Sequence, residues 1–307
     1  MRSFTAENLT LPKHVTIVEV GPRDGLQNEH AVSTDNKVSL INALSQTGLT
    51  RIEVGAFVSA KRVPQMADSL AVFEQIHRSL GVQYSALTPN LQGFQAAVSA
   101  QVDHVAIFAS CSEGFSQHNI HCSIAESLER FQPVMAQAKQ LNIPVRGYLS
   151  TVIDCPYDGA TPPSQVASIA SALYQLGCFE ISLGDTIGTG TPRKVATLLD
   201  AVMKHVPCEH LAVHFHDTYG QAIANIYQSL LMGINTIDSS VAGLGGCPYA
   251  PGASGNVASE DVVYLCQGLG IETGVDLDLL IQTGWQISRQ LNKQPNSKVS
   301  LAISHKP

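Results

Sequence analysis

The chain has 307 residues, 44% of them apolar, enough for one large α/β barrel or two ordinary domains with a full core. A formal charge of −7 argues against a nucleic-acid or anionic-membrane surface, and no apolar run reaches the length of a membrane span. Met1–Asn8 has neither an apolar signal core nor the character of a transit peptide, and seven cysteines without CxxC spacing point to reduced thiols in a cytoplasm.

Short runs rich in Val, Ile, Phe and Tyr begin near His14, Arg51, Val82, His104, Val145, Cys178, Leu211 and Thr236. A stretch of helical period follows each, such as Val38, Leu40, Ile41 and Leu44 after the first and Ile223, Ile226, Tyr227 and Leu230 after the seventh. Strands alternating with helices imply a parallel sheet with right-handed crossovers. Eight such units in roughly 250 residues is the number that closes a (β/α)8 TIM barrel. No Pro/Ser-rich linker divides them, so a single domain is expected over 1–307, with the barrel at about 14–270 and a helical tail at about 271–307. In that tail Leu277, Leu280, Ile281, Trp285 and Ile287 keep helical spacing, and a polar end follows. A doubly wound open sheet is the second choice; against it, the first strand runs into Gly-Pro-Arg-Asp-Gly and not GxGxxG.

In this fold the chemistry lies at the C-terminal ends of the strands. Arg23 and Asp24 leave the first strand just past its end, as a charge to neutralise an anion and a carboxylate to bind a cation, or as a structural ion pair. Glu53 near the end of the second strand and Asp185 at the end of the sixth are acids where reactive groups belong, unless they only bond neighbouring backbone or Arg23. Gln117–Cys122 looks like a small metal cluster, but reads better as a loop before a helix whose Ser123 and Glu126 form a capping box. Gly184–Gly190 is glycine-rich yet lacks the GK[ST] ending of a phosphate loop. In Leu211-Ala-Val-His-Phe-His-Asp217 the alternation puts His214 and His216 on one face, as metal ligands or buried neutral imidazoles. Gly243–Asn256, with five glycines and two prolines, follows the eighth strand and reads as an active-site lid carrying the Cys247 thiol, against the plainer reading of a flexible connection. Asn256 would complete a ligand set with Asp24, His214 and His216, or cap the following helix. Two oxygen and two nitrogen donors without thiolate suit Mg²⁺ or Mn²⁺, and the same set could hold non-haem iron. No lysine stands in a strand or directly at its end, so carbon–carbon bond chemistry here would use a metal and not a Schiff base.

Four motifs together resemble the 3-hydroxy-3-methylglutaryl-CoA lyase family: Gly-Pro-Arg-Asp-Gly-Leu-Gln27, Glu-Ile-Ser-Leu-Gly-Asp-Thr-Ile-Gly188, His-Phe-His-Asp-Thr-Tyr-Gly-Gln221 and the loop ending at Asn256. The likeness runs from about Val15 to Gly274. Condensing relatives of the wider metal-barrel group usually carry Glu where this chain has Leu26, which favours the lyase branch. The resemblance implies metal binding by Asp24, His214, His216 and Asn256, catalysis by Cys247, Arg23, His214, Asp185 and Glu53, and substrate contacts from Arg23, Gln27 and Thr186. It implies an acyl-CoA substrate, a Mg²⁺ or Mn²⁺ cofactor, a homodimer as the assembly to test, and retro-Claisen cleavage to acetoacetate and acetyl-CoA within leucine degradation or ketone-body formation. A sister acyl-CoA lyase or condensing synthase, a metal-dependent oxygenase and a non-catalytic metal-binding barrel are the alternatives.

Overall fold

The computed structural model describes residues 11–246 and 255–304. Eight strands form a closed barrel: β1 (Thr16–Glu19), β2 (Arg51–Ala56), β3 (Gln83–Leu87), β4 (His104–Ser110), β5 (Val145–Ser150), β6 (Glu180–Asp185), β7 (Leu211–Phe215) and β8 (Thr236–Ser239). Neighbours in sequence are neighbours in space, every pair is parallel, and β8 closes on β1 with Thr16 opposite Thr236 and Val18 opposite Asp238. The expected (β/α)8 architecture is present, with strand starts within a few residues of those read from the sequence.

The helices are α1 (Thr34–Leu44), α2 (Ser69–Gln75), α3 (Leu91–Ser99), α4 (Glu113–Ile120), α5 (Ile124–Leu141), α6 (Pro163–Leu176), α7 (Pro192–Val202), α8 (Ala222–Leu231), α9 (Ser259–Gly268), α10 (Leu277–Gln290) and α11 (Lys298–Ser304). Polar caps start several of them: Ser33 accepts from Asn36 N, Asn90 from Gly93 N, and Ser123 with Glu126 forms the expected capping box. Gln117–Ile120, read as loop, instead completes α4, because Ser112 caps that helix and His121 ends it in the left-handed region. The polar end beyond α10 likewise contains α11. Asp261 accepts from Ser297 Oγ (2.7 Å) and Val299 N (3.0 Å), which seats its first turn on α9.

Strand alternation sorts the core into two parts. Ile17, Ile52, Ile107, Ile181, Val213 and Ile237 are buried on the helix-facing side. The opposite face carries Arg51, Glu53, Arg146, Tyr148, Glu180, Ser182, His214 and Asp238, so charged and polar groups fill part of an interior usually packed with branched apolar residues.

Candidate active site

Three segments meet at the C-terminal rim. The first is the turn after β1, where the Val20 carbonyl accepts from Asp24 N (2.7 Å) and Gly25 N (3.2 Å), making one wide π-type turn over Gly21–Gly25. Buried Glu19 fastens that turn to the end of β8. Its Oε1 accepts from Gly21 N (2.8 Å) and Val241 N (2.9 Å), and its Oε2 accepts from Ser259 Oγ (2.6 Å). The second segment is the end of β7, where His214 and His216 share the inward face as alternation requires. The third is Gly255–Val257, which lies along β7: Asp217 N donates to Gly255 O (2.8 Å) and Val257 N to Phe215 O (3.1 Å). Gly255 has φ +76° and passes so close to Gly245 that a Cβ would lie 2.5 Å from its carbonyl carbon; only glycine fits. This crossing brings Asn256 to His216.

Donor atoms of Asp24, His214 and His216 all lie within 4.8 Å of one another. His214 Nε2 stands 3.9 Å from Asp24 Oδ2. Asn256 joins the group through its amide nitrogen, which donates to Asp24 Oδ2 (2.8 Å) and to Leu244 O (3.2 Å). It does not cap α9, whose N-cap is Ala258. His216 Nδ1 is buried with no hydrogen-bond partner among the described residues. A carboxylate and two imidazoles, with one imidazole nitrogen left unsatisfied, are a donor set that fits a hard or borderline divalent cation, and Asn256 presents its amide nitrogen to them and not its oxygen.

Charge is concentrated here. Arg23 donates Nε to Glu53 Oε2 (2.6 Å) and Nη1 to Asp24 Oδ1 (2.7 Å), and its guanidinium lies 5.4 Å from the Tyr148 ring centroid. Burial works against that cation, but Glu53 and Asp24 outweigh it and hold the guanidinium charged. For Asp24 burial alone would favour the acid, yet Arg23 and the two histidines pull its pKa down to about 2. His216 is lowered to about 4 by burial and by His214 beside it. Burial lowers His214 too, but a hydrogen bond to Asp238 and the charge of Asp24 raise it overall. The cluster sits in a cavity of about 540 Å³ whose wall includes Arg23, Asp24, Gln27, Tyr148, Thr186, His214 and His216. Ala56, Val58, Leu87, Phe108 and Phe115 supply an apolar side.

Of the residues singled out in the sequence, Arg23, Asp24, Gln27, Thr186, His214, His216 and Asn256 come together. Gln27 donates Nε2 to Asp24 Oδ1 (2.7 Å), and Thr186 Oγ1 accepts from Thr151 N (2.8 Å). Glu53 lies behind Arg23, buried, with one oxygen lacking any partner among the described residues. Asp185 is not brought to the cavity wall. It has the opposite parity to Gly184, and its carboxylate accepts from Thr189 N (3.2 Å) and Gly190 N (2.8 Å), closing the glycine-rich turn. Burial raises its pKa to about 6. Cys247 lies outside the described residues. The sequence reading passed over Tyr148, Arg146, Ser182, Glu180 and Asp238; the available signal was polar or charged residues at alternate positions of β5, β6 and β8, where an ordinary barrel would be apolar.

The HMGL-like family model matches residues 14–287. The chain is 57% identical to the 3-hydroxy-3-isohexenylglutaryl-CoA/hydroxy-methylglutaryl-CoA lyase of Pseudomonas aeruginosa, over 96% of this chain and 99% of that one. A crystal structure of hydroxymethylglutaryl-CoA lyase from Pseudomonas aeruginosa superposes with a TM-score of 0.95 at 57% identity, covering 97% of this chain and 99% of that chain. An HMG-CoA lyase from Acenitobacter baumannii, solved in complex with coenzyme A and 3-methylmalate, is 35% identical with a TM-score of 0.90 over 98% of this chain and 97% of that chain. With the barrel, the converging Asp24, His214 and His216 and these likenesses together, the chain belongs to the HMGL-like family.

Proposed function

We propose that the protein cleaves 3-hydroxy-3-methylglutaryl-CoA to acetoacetate and acetyl-CoA, with Mg²⁺ or Mn²⁺ held by Asp24, His214, His216 and Asn256. The observation that carries this reading is the meeting of Asp24, His214 and His216 beside Arg23 in one cavity, in a chain so similar to lyases of that substrate. A bound divalent cation supplies Lewis acidity that makes the tertiary alcohol of the substrate easier to deprotonate. Asp24, His214 and His216 are taken up by the cation in this reading and Asp185 faces away from the cavity wall, so the C3 hydroxyl proton leaves to solvent in the cavity. As the proton leaves, C3 becomes the ketone of acetoacetate, the C2–C3 bond breaks, and its electron pair moves onto C2 and the thioester oxygen as an enolate. Arg23, fixed in place by Glu53, offers a permanent positive charge to that oxygen. A proton delivered to C2 completes acetyl-CoA, and Cys247 is the donor or relay in this reading. Gln27 and Thr186 give polar contacts to the acyl portion. Asp185 holds its own turn and is assigned no proton transfer.

An acyl-CoA substrate is supported by the similar lyase solved with coenzyme A. The whole chain acts as one barrel domain in this proposal, in leucine catabolism, as a homodimer in the cytoplasm. That location is in keeping with six described cysteines that form no disulfide. No helix among the described residues is long and apolar enough to cross a membrane. The test is product analysis: purified protein supplied with Mg²⁺ and the thioester should release acetoacetate and acetyl-CoA, and intact substrate after incubation with metal-loaded protein rejects the proposal. The apolar wall formed by Leu87, Phe108 and Phe115 favours a second reading, in which longer C3 substituents are also accepted. Comparison of kcat/KM for methyl and longer-chain thioesters separates the two.

A further inference from the structure

Below the rim, the barrel interior holds a chain of charges, partly buried at Arg51 and fully buried beyond it, that the cleavage steps leave unused. Arg51 Nη1 donates to Glu180 Oε1 (3.0 Å), and Arg146 Nε donates to Glu180 Oε2 (2.6 Å). Arg146 then grips Asp238 with both terminal nitrogens, Nη2 to Oδ1 (2.7 Å) and Nη1 to Oδ2 (3.0 Å). Ser182 Oγ donates to Asp238 Oδ2 (2.7 Å), and the same oxygen faces His214 Nδ1 at 3.3 Å. Asp238 and His214 are direct partners in the β7–β8 ladder, so the closure of the barrel sets this contact.

We infer that Asp238, clamped by Arg146 and Ser182, is a positioning residue that fixes the ring orientation and tautomer of His214 and so presents Nε2 to the cation. The inference rests on the cation reading of the site. An ionised carboxylate only accepts hydrogen bonds, so the hydrogen of His214 sits on Nδ1 and the Nε2 lone pair faces Asp24. Arg146 holds both oxygens of the carboxylate and Ser182 shares Oδ2 with His214, which leaves it no freedom to turn away. His216 lacks an equivalent, since its Nδ1 has no partner among the described residues. Stability alone does not account for the network, because a well-packed apolar layer does that work at least as well as a buried ion pair.

The experiment compares wild type, Asp238→Asn and Ser182→Ala by two readouts, both independent of turnover. Mn²⁺ binding to chelator-treated protein is followed by electron paramagnetic resonance, and the His214 tautomer is read in metal-free protein from ¹⁵N-histidine spectra at alkaline pH. Wild type should show hydrogen on Nδ1. Asp238→Asn should weaken Mn²⁺ binding by about 10–100-fold and shift the ring toward the other tautomer. Ser182→Ala, which leaves every charge in place, should weaken binding by about 2–10-fold in the same direction. A folded Asp238→Asn protein with wild-type Mn²⁺ affinity and an unchanged His214 spectrum overturns the inference. Should Asp238→Asn fail to fold by circular dichroism, Ser182→Ala decides by the same criteria. If wild type itself takes up no Mn²⁺, the cation reading fails, while the metal-free spectra still decide what Asp238 does.

Discussion

Arg23 is shared between two carboxylates and an aromatic face, and that sharing defines what its loss would do. Asp24 stays ionised with the histidines beside it, whereas Glu53, pushed toward the neutral acid by burial, can take a proton once Arg23 is gone. Arg23→Met is therefore expected to fold, while the proposed role of Arg23 at the enolate oxygen requires kcat to fall by about 10²–10³ with KM moving much less. Steady-state kinetics alongside thermal unfolding check this; a kcat near wild type would remove Arg23 from the chemistry. At this scale the histidine pair was legible because alternation on a strand leaves one answer for residues two apart. The same rule, applied to Gly184 and Asp185, would have turned Asp185 away from the cavity, and its position at a strand end hid that. Arg146 and Asp238 were harder to see, since their partners lie on strands far apart in sequence and meet only when the barrel closes.

Between β8 and α9 the rim depends on how a short turn is anchored. Glu19 takes the Val241 N–H, and Glu260 takes the Ala242 N–H with both oxygens (2.9 and 3.0 Å). Asn296, just before α11, donates its own N–H to Ala242 O (2.8 Å) and its side-chain amide to Gly243 O (3.1 Å). The C-terminal helices thus brace the segment that leads into the glycine-rich loop, a role that apolar spacing in the tail could not reveal. Burial, chiefly, raises Glu19 from its ordinary 4.5 to about 7 and Glu260 from 4.5 to about 8. The folded state then holds protons that the unfolded chain has released, so their contribution is full below about 4.5 and is lost as pH rises through about 7 to 8. Thermal unfolding should show stability declining over that range, and Glu260→Gln should flatten the decline while keeping an acceptor for Ala242 N. An identical slope in the variant would show that Glu260 does not titrate there.

For the molecule as a whole, closure of the sheet is what makes a site. Asp24 follows the first strand and the histidines end the seventh, and only β8, paired with both β1 and β7, brings them within reach. Repeated strand–helix alternation made that closure readable in advance, because eight units specify a barrel regardless of side-chain detail. The charged interior was not readable in the same way, since a barrel of branched apolar residues would have produced the same alternation. The claim on which the rest depends is that one divalent cation, held by Asp24, His214, His216 and Asn256, is required for C2–C3 cleavage of the acyl-CoA. It is tested most directly by titrating chelator-treated protein with Mn²⁺ while acetoacetate release is followed. Activity should be absent without metal and rise to saturation at one equivalent per chain; full activity in the metal-free protein, or bound Mn²⁺ with no acetoacetate, would contradict it.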